Sequence, residues 1–296
     1  ITSLSSAENG NTLWSNNYDT NLDEIFDLQD ELVQSIVSTI VGNVERDEVK
    51  RLSNAKPERM DAYDLVLKGL EYHRKGSIAG ENNKKALELF TRAIELDPQY
   101  ARAYAWRTCS LANNAEWFPD ETPADWMEDA YASLNRSLEL DPNDPEAHRI
   151  MGAVKLLIEG DMETAIFHHQ KAIEICPSDT YHIARYAILL CYLGKSDEGL
   201  LEIKRAMRLD PFCSDILFEA QGLCLYCLDK PSDALASFKK MQIDSIASLF
   251  YQALCYQELK DTNNAGAYLN MAISKSGMNV ERFVSTQLFE NDDTKR

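Results

Sequence analysis

The chain has 296 residues, enough for two average domains or one elongated array, and its 48 acidic against 30 basic residues leave a formal net charge of −18. That excess excludes the usual duplex binder, which displaces counterions from phosphates with a basic stripe, and disfavours anionic membrane surfaces for the same reason. Apolar residues make up 45%, and only 12 glycines and 9 prolines occur, so helix is favoured over a turn-rich β architecture.

Along the chain, Glu8-Asn9-Gly10-Asn11 reads as a tight turn and Thr12-Leu13-Trp14-Ser15 as a short strand, predicting a hairpin-like piece over 1–20. Ile1 in place of Met suggests a processed product or a piece of something longer. Leu22, Ile25, Phe26, Leu32, Val33, Ile36 and Val37 then recur at helical spacing, with Asn21 and Glu24 as a capping box. A linker helix from about 22 to 53 is expected within residues 21–56. Its wide apolar stripe needs cover, either from the first repeat or from a second copy across a dimer seam.

Beyond residue 56 the sequence repeats itself. Ala93-Ile94-Glu95-Leu96-Asp97-Pro98 returns as Ser137-Leu138-Glu139-Leu140-Asp141-Pro142, Ala172-Ile173-Glu174-Ile175-Cys176-Pro177 and Ala206-Met207-Arg208-Leu209-Asp210-Pro211. These prolines lie 44, 35 and 34 residues apart, and degenerate copies end near Ser245 and Gly277, so the period is 34 with one insertion. A small residue followed four later by a large one forms a second landmark, as in Ala86/Phe90, Ala165/His169 and Ala234/Phe238. A third, small again, stands about twelve residues earlier, as Gly152, Ala187, Gly222 and Ala253. Small residues let two antiparallel helices approach, the bulky one fills the space beside them, and proline stops the second helix.

This pattern resembles the tetratricopeptide repeat, over six units from about 62 to 276 within an array spanning 57–277. The resemblance implies an all-α fold, an α-α solenoid or superhelix whose first helices line a concave side. Departures are about five extra residues in the first inter-helix turn (Ser77 to Asn82), Arg107 and Thr108 in repeat 2, and His169 for the aromatic in repeat 3. After the array, Val280, Phe283, Val284 and Leu288 predict a capping helix within the segment 278–296.

Gly10-Asn11-Thr12-Leu13-Trp14-Ser15, Tyr18-Asp19, Ile25-Phe26-Asp27-Leu28-Gln29-Asp30-Glu31 and Ala62-Tyr63-Asp64-Leu65 are similar to a junction in bacterial multidomain signalling proteins. There a tetratricopeptide array follows an α/β domain, and the output domain is a class III adenylate/guanylate cyclase or a winged-helix regulator. The resemblance implies that residues 1–20 are a remnant of an upstream α/β domain. It also implies a regulatory, protein-binding role, with a homo-oligomerisation scaffold as a further alternative.

No phosphate loop, supported Ser/His/Asp order or HExxH occurs, so neither a catalytic residue nor a cofactor is expected. Cys224-Leu-Tyr-Cys227 lacks a second ligand pair for zinc and reads as core, the adjacent His168 and His169 point about 100° apart on a helix and read as packing plus solvent exposure, and no metal is expected. Seven scattered cysteines without a signal peptide read as a reducing, cytoplasmic setting. The longest apolar run, Tyr186 to Leu193, is far below the ~20 residues of a membrane span.

Inner positions of the first helices form the candidate groove: Tyr63, Arg102, Arg149, Tyr181 and Ile188, then Glu219, Leu223, Tyr226, Phe250 and Leu254. Most are apolar or aromatic, and only two are cations, whereas chaperone-binding relatives hold a terminal carboxylate with Lys, Asn and Arg. The expected ligand is therefore an apolar helix or extended segment, from a protein or the chain's own upstream domain, the alternative being that the chain's own N-terminal helix or a second copy fills the groove. The insertion from Glu116 to Asp129 carries Trp117, Phe118 and Trp126 among six acids, as a docking flap or as wedges against neighbouring helices.

Overall fold

The computed structural model describes residues 2–5, 12–16, 61–76, 80–118, 120–210, 213–277 and 280–286. The predicted linker helix over 22–53 lies outside the described residues. Near the start, β1 (Thr2–Ser5) pairs antiparallel with β2 (Thr12–Asn16), Leu4 opposite Trp14, with a register shift after Leu4.

The array consists of antiparallel helical pairs: α1 (Ala62–Gly76) with α2 (Glu81–Leu96), α3 (Ala101–Trp117) with α4 (Trp126–Leu140), and α5 (Pro145–Val154) with α6 (Met162–Ile175). It continues as α7 (Thr180–Tyr192) with α8 (Ser196–Leu209), α9 (Asp215–Cys227) with α10 (Pro231–Phe238), and α11 (Ile246–Glu258) with α12 (Thr262–Ser276). A short helix, α13 (Val280–Thr286), follows. Among the described residues these are six pairs, with their breaks where the repeat landmarks put them. Glu81 and Asn82, read from sequence as part of the first inter-helix turn, belong to α2, and residues 77–79 of that turn lie outside the described residues.

Local chemistry starts several of these helices. Asp144, Asp161, Asp179 and Asp261 each accept a backbone N–H from the first turn that follows, satisfying donors that have no intrahelical partner. Pro145 and Pro231 occupy the first turn of α5 and α10, where a missing N–H costs nothing. A π-turn over Lys155–Glu159 extends α5 and ends at Gly160, whose φ of 67° is left-handed.

Within a pair, the small landmark opposes the bulky one. A Cβ on Gly69 would stand 2.5 Å from the Phe90 ring, and one on Gly222 would stand 2.4 Å from the Phe238 ring. His169 does the aromatic's work in the third pair, since a Cβ on Gly152 would meet its ring at 2.7 Å. In the second pair Thr108 keeps the contact by hydrogen bonds instead, its hydroxyl lying 3.1 Å from both Tyr104 O and Ala130 O. Arg107 reaches across to Asp129 on α4, with N–O distances of 2.8 and 2.6 Å, and donates to Ser133 Oγ.

Between pairs, first helices pack on first helices: α1 on α3, α3 on α5, α7 on α9 and α9 on α11. Each second helix packs on the next first helix, while neighbouring second helices do not approach to a comparable extent. The array therefore bows with its first helices on the inner side. One continuous apolar cluster runs from α7 to α13 and includes Ile183, Ile203, Leu217, Phe238 and Leu249. The first three pairs hold smaller, separate clusters, one around Phe90 and Trp106 and another around Leu134 and Ile150. Among the described residues no helix is long and apolar enough to cross a membrane.

Candidate functional site

The inner wall is built by side chains one repeat apart reaching between first helices. On α5, Asp144 caps the helix through one carboxylate oxygen and takes the Arg102 guanidinium from α3 through the other, at 3.3 Å. Glu146, two residues further, accepts from Arg149 Nε at 2.8 Å and stands 3.1 Å from His182 Nε2 of α7. Arg149 is only 1% exposed and lies between two aromatic rings, 5.2 Å from Trp106 and 5.1 Å from Tyr181.

Burial opposes both charges of this pair, and each partner outweighs it for the other. Glu146 is held well below the usual carboxylate range by Arg149 and His182, and Arg149 is held in its charged form chiefly by Glu146. Arg149 Nη2, Trp106 Nε1 and His182 Nδ1 are buried without a hydrogen-bond partner. Arg185 on α7 is half-buried and has no ion-pair partner among the described residues. On the other side of Trp106, His73 of α1 meets its ring edge-on at 5.0 Å and lies 3.5 Å from Cys109 Sγ of α3.

Towards α11 the wall turns apolar. Tyr181, Ile188, Tyr226 and Leu254 are half-buried, and so is Glu219, whose carboxyl burial pushes up. Three predicted groove residues are buried: Arg149, Leu223 at 4% and Phe250 at 2% exposure. Arg149 is therefore a structural ion-pair member rather than an open cation. Phe250 is covered by α13, whose Phe283 stacks on it at 4.1 Å between centroids. Tyr63 is the most open of the ten, at 51%, and Arg102 is half-buried against Asp144.

The insertion folds back on the start of α2. Trp117 and Phe118 lie so close over Gly80 that a Cβ there would come within 2.9 Å of both, and Lys84 caps the Phe118 ring at 3.7 Å while pairing with Glu121 at 2.8 Å. Trp126 is half-buried at the first turn of α4.

Glu146, Asp179 and His182 bring three ligand-type atoms within 4.8 Å of one another. The carboxylates are already engaged, Glu146 by Arg149 and His182, and Asp179 by the backbone N–H groups of Tyr181 and His182. With a guanidinium 2.8 Å from the shared carboxylate, the donor set fits an ion-pair network better than a cation. Cys224 is buried with its Sγ 3.3 Å from Cys191 of α7, a core contact between neighbouring first helices.

Sequence reasoning missed Arg185 and the Glu146–His182 bridge. Arg185 sits one turn from Tyr181 and adjoins the row that was read as groove-facing. Glu146 and His182 are 36 residues apart, close to one repeat, which was the available signal.

No protein-family model matches the chain. It is 26% identical over 144 residues to a Rhizobium meliloti (strain 1021) protein named "Putative adenylate cyclase 3", a match covering 47% of this chain and 23% of that protein. The match thus spans under a quarter of that relative's length. Among solved structures, a tetratricopeptide repeat protein from Parabacteroides merdae superposes with a TM-score of 0.53 at 17% identity, over 89% of this chain and 98% of that one. The human IFIT1 dimer with PPP-AAAA gives 0.58 at 19% identity, over 79% and 55%, and the APC/C hetero-tetramer Cut9-Hcn1 gives 0.56 at 15%, over 86% and 46%. With its landmarks, paired helices and these superpositions together, the chain has the fold of a tetratricopeptide-repeat solenoid.

Proposed function

We propose that this chain is a non-enzymatic protein-binding module whose inner wall takes a peptide or partner domain, and that it serves as the regulatory part of an adenylate/guanylate cyclase. The observation that carries the binding role is the half-buried stripe of Tyr181, Ile188, Tyr226 and Leu254, aromatic and aliphatic anchors on successive first helices. Tyr63 and Arg102 extend that surface towards the first pair. The net charge of −18 weighs against a nucleic acid as the occupant. Likeness to the Rhizobium protein supports the cyclase setting.

The test uses affinity capture with the chain as bait, followed by cyclic-nucleotide synthesis by the full-length protein. Tyr181→Ala combined with Tyr226→Ala should abolish capture of the principal partner and alter the response of synthesis to it, with the helical circular dichroism unchanged. Full capture by the double variant overturns the groove, and a full-length protein that makes no cyclic nucleotide overturns the cyclase assignment.

A further inference from the structure

The geometry points to Cys109 as a disulfide-exchange site, at which its sulfur, facing His73 across the inner wall, takes up half of a low-molecular-weight disulfide as a mixed disulfide. The cysteine does not stand alone. His73 Nε2 lies 3.5 Å from Cys109 Sγ, and Ser110 Oγ lies 3.5 Å from His73 Nδ1. With Nδ1–H donating to the Ser110 hydroxyl, Nε2 is left to accept the thiol proton, an arrangement of nucleophile, base and orienting group. Cys109 and His73 are both half-buried on the inner side of their helices, and the reaction itself reads whether a reagent reaches the sulfur.

The charges facing the sulfur come from three other helices: His73 on α1, Arg149 with its partner Glu146 on α5, and Arg185 on α7. Burial pushes the Cys109 thiol up, but His73, Arg149 and Arg185 together outweigh it and bring the thiol down to about 7. Two buried N–H groups without acceptors, Trp106 Nε1 and Arg149 Nη2, stand in the same neighbourhood, where negative charge is welcome. Cys176 and Cys213 are also half-buried, yet burial and the nearby Asp179 and Asp210 push their thiols up.

In the exchange, the Cys109 proton passes to His73 and the thiolate electron pair forms a bond to one sulfur of the reagent. The reagent's own S–S bond breaks, and its other half leaves with that electron pair as a thiolate. Cys109 is oxidised by the amount the departing half is reduced. On the groove reading above, the adduct would stand in the ligand's path, but the site itself does not depend on that reading.

Oxidised glutathione is the probe, with the adduct at each cysteine followed by peptide mass spectrometry between pH 6 and 9. At pH 7 Cys109 should react about tenfold faster than Cys176 and Cys213, with its rate half-maximal near pH 7. His73→Gln should move that midpoint upward and slow Cys109 about tenfold at pH 7, leaving the other two unchanged. A wild-type rate at Cys109 no greater than at Cys176 and Cys213 overturns the assignment, as does an unshifted profile in a folded His73→Gln chain. Should that variant lose its helical signal, the comparison among the three wild-type cysteines decides.

Discussion

The two ends of the array are held together by different forces. From α7 onward a single apolar cluster continues through every pair into α13, so a side chain such as Phe238 is coupled to neighbours on both sides. In the first three pairs the apolar clusters are small and separate, and polar bridges run between first helices: His73 to Cys109, Arg102 to Asp144, and Glu146, itself paired with Arg149 on α5, to His182 at the start of α7. Apolar contact is insensitive to direction, whereas a buried ion pair penalises any geometry that leaves a charge unpaired. The same repeat architecture is thus fixed by volume at one end and by polar geometry at the other.

The largest expected effect breaks the apolar end. Phe238→Ala removes the ring that fills the space over Gly222 and should cost about 3–5 kcal/mol. Three of the four tryptophans, Trp106, Trp117 and Trp126, lie in the first two pairs, so on a Trp14→Phe background their fluorescence reports that region while circular dichroism reports the whole array. In urea, this variant should lose helix early with the tryptophan transition nearly unmoved; transitions that shift together would erase the distinction drawn above. Glu146→Gln acts at the other end. It leaves Arg149 buried beside a neutral amide and should cost about 2–3 kcal/mol, visible in the fluorescence transition because Trp106 adjoins Arg149.

The smallest effect sharpens the comparison by pH. Burial is the first cause holding His168 to about 4, from an ordinary value of 6.5, and burial also holds His169 well below that value. The unfolded chain therefore binds more protons than the folded one between these values, so stability contributed by the neutral imidazoles is present above pH 6.5 and is lost as pH falls towards 4. The His168 share of the loss, reduced for its partial exposure to solvent, should be on the order of 1–2 kcal/mol by pH 4.5, where Glu146 remains ionised. His168→Gln with His169→Phe should flatten that dependence in denaturant titrations; an unchanged slope would remove these histidines from the account.

Much of the array was legible because its landmarks are steric. Gly69 against Phe90 and Gly222 against Phe238 need one small and one large residue at fixed spacing, and that demand is written directly in residue size. His169 in an aromatic's place was readable as a departure, and its ring proves to fill the same gap over Gly152. The inner wall was less legible. Position in the repeat says which way a side chain faces but not whether a neighbour covers it, so Arg149 and Phe250 were read as open, although Glu146, Trp106 and Tyr181 enclose the first and Phe283 caps the second. Polar compensation in the second pair was also hidden, since nothing in Arg107 or Thr108 alone announces Asp129 and Ala130 as partners.

The bridges between first helices carry a mechanical consequence. Each spans roughly one period and resists sliding of its two helices past one another, because displacement would strand a charge or a thiol. Beyond α7 the contacts between helices are chiefly apolar and carry no such directional penalty, although they pack as closely as Phe238 over Gly222. A guest that widens the curve should accordingly meet less directional resistance among the last three pairs than among the first three.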